Sequence, residues 1–390
     1  MAPSGTYLDY AATTPMRPEA VAALEPFASD VFGNPSGAHA VARAAKTALE
    51  EAREVVASLL GARPGEVVFT AGGSEADNLA VKGAARAARD AGAGDGVVTA
   101  AFEHKAVLAS CDRLEREGFR VARIPTGSDG IVDLVALHDA LDERTVVVSI
   151  MLVNNEVGTI QPLDAIAELV RARAPRAVIH TDAVQAVPWI RVAHEARAAD
   201  LVSVSAHKFG GPKGTGALVV RGGVALEPLV EGGGQEQGLR AGTSNVGGAV
   251  ATAAALRATA ASIDSDTARL SLLRDRLVDG LLASVPGSFE NGDRARKVAG
   301  NAHVGFDDVE AEALLVLLDA AGVYAAAGSS CASGATEPSH VLDSMGIPRD
   351  AALSSIRLTL GYASADRDVD VALTVIPEAV AKLRAARIRG

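Results

Sequence analysis

The sequence predicts an α/β fold. A large domain would rest on a mostly parallel, seven-stranded sheet flanked by helices, with a small α+β domain at the C-terminal end. Three observations carry this expectation. Apolar, β-branched runs alternate with stretches of helical period up to about residue 245. Beyond that point the alternation gives way to one long Ala/Leu-rich helical stretch and a few mixed elements. Finally, 390 residues, 48% of them hydrophobic and 22% charged, suit one large domain plus a smaller one with ample core.

The strand-like runs are "EVVFT" (66–70), "GVVTAAFE" (96–103), "RVARIP" (120–125), "TVVVSIML" (145–152), "AVIHTD" (177–182), "LVSVSA" (201–206) and "GALVVR" (216–221). Helical stretches such as "SEADNLAVKGAARAARD" (74–90) and "PLDAIAELVRARA" (162–174) lie between them. Strands separated by helices pair in parallel, and both sheet faces are then covered. Ligands of such sheets bind beyond the carboxyl ends of the strands. The stretch "VGGAVATAAALRATAASIDSDTARLSLLRDRLVDGLLASV" leads out of the large domain. "NAHVGF" and "SSIRLTL" then supply strands, and "EAEALLVLLDAAG" and "DVDVALTVIPEAVAKLRAA" supply helices. The expected division is 15–255 for the large domain, and 1–14 with 256–390 for the small one. "RDAGAGDG" (89–96) reads as a surface turn, and no internal repeat is evident.

Bulk charge narrows the function. A net charge of −11 argues against a nucleic-acid or membrane-surface role. Two cysteines, Cys111 and Cys331, are too few for a disulfide framework, and neither belongs to a C-x-x-C pair. The N-terminus lacks a basic start and an apolar core of signal-peptide length, and no uncharged apolar run reaches membrane-spanning length. A cytoplasmic protein without a metal site is expected.

The chemistry gathers at strand ends. In "VSVSAHKFGGPKGTG" (202–216), Lys208 follows a buried strand and precedes a glycine-rich turn. A lysine becomes nucleophilic when desolvated or placed near other cations, and pyridoxal-phosphate enzymes use such a lysine as a Schiff base. Read alone, Lys208 is equally a surface lysine. "TAGGSEADN" (70–78) offers two glycines and Ser74 at a helix start, suited to a phosphate, although Ser74 alone reads as an N-cap. "IHTDAVQ" (179–185) ends a strand with Asp182, the carboxylate a pyridine nitrogen needs, and Gln185 follows one turn later. Asp182 taken singly is more often a cap or turn residue. His104, in "FEHKA", ends another strand, where it suits stacking on a ring or merely a satisfied polar group.

Ten motifs, taken in order, make the chain resemble a cysteine desulfurase of the NifS/IscS type, in the class V aminotransferase group of fold-type I pyridoxal-phosphate enzymes. They are "YLDYAATTP", "FGNPSGAH", "VVFTAGGSEADNLA", "EHKAV", "NNEVGTIQP", "HTDAVQ", "SAHKFGGPKGTGAL", "GGGQEQGLRAGTSN", "GSSCAS" with "EPSHVL", and "SSIRLTLG". The resemblance runs from about Tyr7 to the end. It implies that Lys208 carries pyridoxal 5'-phosphate as a Schiff base, that Asp182 pairs with the pyridine nitrogen, and that Gln185 binds the ring hydroxyl. It implies that His104 stacks on the ring and helps to move protons. Gly73, Ser74, Ser205 and His207 would contact the phosphate, and Thr243 the phosphate of a second subunit's cofactor, which requires a homodimer. Asn34, Asn155 and Arg357 would shape the substrate end, with Arg357 clamping the amino-acid carboxylate bidentately. From sequence alone Arg357 also reads as a surface salt bridge.

Cys331 decides the reaction that the resemblance implies. It lies in the Gly/Ser-rich "AAAGSSCASGATEPSH", a loop at about 325–340 without apolar periodicity, whereas Cys111 lies in an amphipathic helix and reads as structural. L-cysteine would become L-alanine, its sulfur passing to Cys331 as a persulfide and then to an acceptor protein. The loop is long, as in the NifS/IscS branch rather than the SufS branch, and this resemblance implies direct transfer by loop swing rather than strict dependence on a SufE-like activator. Ala326 and Ala327 stand where relatives often carry serine, and Phe102 where they carry threonine. The chain ends at "KLRAARIRG", without the extension that helps some members dock an iron–sulfur scaffold. The acceptor, whether in cluster assembly or in tRNA or cofactor thiolation, is left open. Competing readings are a class V aminotransferase, indifferent to Cys331, a selenocysteine lyase, which spares L-cysteine, and a non-catalytic sulfur-transfer scaffold.

Overall fold

A computed structural model describes residues 5–328 and 337–389. Its strands in chain order are β1 (Thr6–Tyr7), β2 (Val67–Thr70), β3 (Gly96–Ala100), β4 (Arg120–Ile124), β5 (Thr145–Ser149), β6 (Val178–Asp182), β7 (Leu201–Ser205), β8 (Gly216–Val220), β9 (Ser288–Glu290), β10 (Asn301–Phe306), β11 (Val323–Tyr324) and β12 (Ser355–Thr359). The seven-stranded sheet has the order β2-β8-β7-β6-β5-β3-β4. The five strands from β7 to β4 pair in parallel, and β8 runs against both of its neighbours. Both faces are buried. Val98, Val148, Ile179, Val202 and Val204 point into one core, and Val97, Val147, Leu201 and Leu218 into another. Two-sided burial is why these strands read as continuous apolar runs rather than as alternation.

Two expected strands are longer in the sequence than in the fold. The run 96–103 leaves the ladder after Ala100, and the run 145–152 after Ser149. The residues beyond, Phe102, Glu103, Ile150, Met151 and Leu152, are all buried. The Ile150 and Leu152 amides still donate to the β6 carbonyls of His180 and Asp182, but the regular ladder has ended, and apolar periodicity does not mark that point. The expected helix 74–90 is continuous but passes through a π-helical turn, Leu79–Gly83, between Gly73–Asn78 and Ala84–Asp90.

The helix Val246–Ser284 spans 39 residues, about 58 Å at 1.5 Å per residue. Val246, Ala249, Ala253 and Leu256 pack in the core of the large sheet, and Leu270, Leu273, Leu277 and Leu281 pack in a separate core. One window of it is long and apolar enough to cross a membrane, yet 61% of that window is buried in the protein, as befits a core helix. This third core lies on the antiparallel sheet β12-β10-β9, beside the parallel pair β1-β11. Leu8 is fully buried there, so the N-terminal segment packs with C-terminal elements.

Candidate active site

The site is assembled where strands end. After β2 the chain turns through Gly72, whose φ of +149° favours glycine, into the helix that begins at Gly73. A Cβ on Gly73 would stand 2.8 Å from Val184 Cγ2, so only glycine lets this helix approach the β6 end so closely. Gly72 is the N-cap, which places Ser74 one residue inside the helix rather than at its cap. β6 ends in Asp182, whose Oδ1 accepts from the Val184 amide at 2.8 Å. β7 ends in Ser205 and runs into the short turn Ala206–Lys208.

His104 does not end a strand. β3 stops at Ala100, and His104 is the N-cap of the helix Lys105–Arg116, with Nδ1 accepting from the Ala106 amide at 3.1 Å. That bond leaves Nε2 to carry the proton of the neutral ring. Burial, the largest effect, holds its pKa below the usual histidine value. His207 is drawn down to about 4 by burial and then by the neighbouring Lys208.

A cavity of roughly 270 Å³ gathers Gly73, Ser74, His104, Asn155, Asp182, Gln185, Ser205, His207, Lys208 and Arg357 on its wall. Lys208 Nζ donates to the carbonyls of Ala11 at 2.6 Å and Ala12 at 2.9 Å. Gln185 Nε2 also donates to Ala11 O, at 2.8 Å. Arg357 is only 2% exposed in the middle of β12, so it is not a surface salt bridge. Its Nη2 donates to Asp9 Oδ1 and its Nη1 to the Asn155 carbonyl, each at 2.8 Å.

Two expected residues stand elsewhere, and a third is not described. Asn34 is exposed, and its side chain closes a turn by accepting from the Ser36 amide at 3.0 Å. Thr243 is exposed and off the cavity wall. Cys331 lies outside the described residues. Cys111 is fully buried, and burial pushes its thiol up to about 12.

Sequence reasoning missed three features. Asp77 lines the cavity at 1% exposure, and its Oδ1 has no hydrogen-bond partner among the described residues. One donor atom each of Asp77, His104 and Asp182 lies within 4.8 Å of the others. The signal was present: Asp77 is four residues after Gly73, on the same helix face. The second feature is the pair of carbonyls at Ala11 and Ala12, which no side-chain motif encodes. The third is Asp9, inside the motif "YLDYAATTP" but without an assigned role.

This arrangement suits a phosphorylated pyridine aldehyde. The cavity wall carries a buried carboxylate, small hydroxyls beside a glycine-started helix, and an amine. Fold and site together define a class of enzyme, and the chain belongs to the aminotransferase class-V family, whose model matches residues 6–371. Within that family it is 44% identical to "Cysteine desulfurase IscS" of Methanosarcina thermophila, covering 97% of this chain and 92% of the relative. It is 47% identical to "IscS-like cysteine desulfurase" of Mycobacterium tuberculosis, covering 98% of each. Among solved structures, a "NifS-like protein" superposes with a TM-score of 0.91 at 35% identity, covering 97% of this chain and all of that one.

Proposed function

We propose that this chain is a pyridoxal-phosphate-dependent cysteine desulfurase, which removes sulfur from L-cysteine to leave L-alanine. The observation that carries the reading is the convergence of an amine, a buried carboxylate and a buried guanidinium, Lys208, Asp182 and Arg357, on one cavity. When bound, the cofactor supplies an electron sink that loosens the substrate's C–S bond. The residues do the rest. Asp182 keeps the pyridine nitrogen protonated, and Gln185 reaches the ring hydroxyl. Gly73, Ser74, Ser205 and His207 hold the phosphate. Lys208 would hold the cofactor, and its Nζ would accept the substrate's α-proton. His104 covers the ring, and Arg357 with Asn155 orients the substrate carboxylate. The Cys331 thiolate then attacks the substrate sulfur. An S–S bond forms as the C–S bond breaks, and the carbon keeps the electron pair and takes up a proton as alanine.

Lys208 as the pivot, a large domain of 15–255, a small one of 1–14 with 256–390, and Asn34 at the substrate end belong to the same reading. So do a cytoplasmic homodimer in which the exposed Thr243 serves the neighbour's phosphate, and a partner protein that accepts the sulfur. The test is direct. Purified protein should be yellow and, with L-cysteine and a thiol reductant, should yield equal alanine and sulfide. The Cys331 peptide should gain one sulfur in mass spectrometry. A Cys331→Ala protein that keeps its colour and full sulfide output would defeat the reading, as would a colourless protein that takes up no cofactor.

A further inference from the structure

The motif "YLDYAATTP" threads the whole cavity. Beyond the two carbonyls that receive Lys208, Thr13 Oγ1 meets His207 Nδ1 at 3.1 Å, and the Thr14 amide donates to the His207 carbonyl at 2.9 Å. At the other end of the same segment, Asp9 meets Arg357. One hexapeptide therefore touches both the amine and the guanidinium.

Asp9 is held firmly enough to aim its carboxylate. Its carbonyl accepts from the Ala12 and Thr13 amides and from Tyr7 Oη, and its backbone bridges Thr359 next to Arg357. The Arg357 guanidinium is buried, and a buried cation left without a counter-charge is costly. Asp9 supplies that charge, while Arg357 Nε is buried and has no hydrogen-bond partner among the described residues. A carboxylate arriving in the cavity must share this guanidinium with Asp9, and two like charges on one cation oppose each other.

We propose that Asp9 is a positioning residue for the substrate carboxylate, acting through Arg357: its oxygen orients the guanidinium, and its charge restrains the site's affinity for amino acids. The two effects separate by substitution. Asparagine keeps an acceptor oxygen and removes the charge, whereas alanine removes both. The proposal rests on the reading of Arg357 as the carboxylate clamp.

The experiment titrates the holoenzyme with L-alanine, which carries the carboxylate and no sulfur, and follows cofactor absorbance to obtain a dissociation constant. Asp9→Asn should bind L-alanine about fivefold more tightly than the wild type, and Asp9→Ala about tenfold more weakly than Asp9→Asn. With L-cysteine, KM should shift in the same sense for Asp9→Asn while kcat stays within twofold, as a change in binding shared by ground state and transition state requires. Asp9→Asn binding no tighter than wild type, or Asp9→Ala binding as tightly as Asp9→Asn, overturns the proposal. Arg357→Gln separates the levels. If it weakens L-alanine binding while Asp9→Asn changes nothing, the Asp9 role fails and the clamp stands. If Arg357→Gln leaves affinity unchanged, the clamp fails and the Asp9 role with it.

Discussion

Two kinds of buried titratable residue pull the protein's pH response in opposite directions. His303, on β10 opposite Arg357, is drawn down to about 3 by burial and then by Lys297 and Arg357. Its unfolded form takes up a proton near 6.5, which the folded form refuses until far lower pH. Its contribution is therefore present above pH 6.5 and is lost as pH falls toward 3. Glu103 is the reverse case. Burial raises its pKa well above 4.5, so its contribution is present below pH 4.5 and is lost as pH rises toward the folded value. Measured as urea midpoints, His303→Gln should gain on the wild type as pH drops from 6.5 toward 3, by at most about 1.4 kcal/mol per pH unit. Glu103→Gln should gain on it as pH rises above 4.5. A constant offset for both variants across pH would contradict these assignments. Neither burial was legible in the sequence. "NAHVGF" reads as a strand whichever way His303 points, and Glu103 stood in the last place of a strand that ends three residues earlier.

Among elements, the N-terminal segment depends most on its neighbours. A Cβ on Gly361 would lie 1.9 Å from Tyr10 Cδ1, so the ring packs against bare backbone beside Thr359. Gly361→Ala must push Tyr10 aside. The expected cost is about 1–3 kcal/mol of stability by urea denaturation, with weaker L-alanine binding because Ala11 and Ala12 move with Tyr10. Unchanged stability and binding would show that the segment tolerates displacement. The βα units themselves were legible, since β-branched runs and helical stretches alternate without ambiguity. Their ends were not. The turn Ala101–Glu103 and the π-helical turn at Leu79–Gly83 depend on which amide reaches which carbonyl, and the side-chain pattern does not encode that choice.

At the scale of the whole molecule, the helix Val246–Ser284 and Trp189 join one core of the large sheet to the core on β12-β10-β9. Trp189 packs against both, and a Cβ on Gly300 would approach its ring to 2.1 Å. It is the chain's single tryptophan, so its fluorescence reports on this junction alone. Leu277→Ala, deep in the core on β12-β10-β9, should cost about 2–5 kcal/mol. Trp189 fluorescence should then follow the circular-dichroism loss at the same lower urea concentration. A separate early transition in fluorescence alone would show that the two cores unfold independently.

The sequence by itself determined the βα alternation and the change of pattern near residue 245, because side-chain periodicity is local, and its motifs, through the family they resemble, named ten residues that meet on one cavity wall. Only the tertiary structure decided that Arg357 is buried against Asp9, 348 residues away in the chain, and that backbone carbonyls of Ala11 and Ala12 receive Lys208. Contacts between distant segments depend on packing in three dimensions, and a backbone oxygen carries no residue-specific mark for a sequence to display.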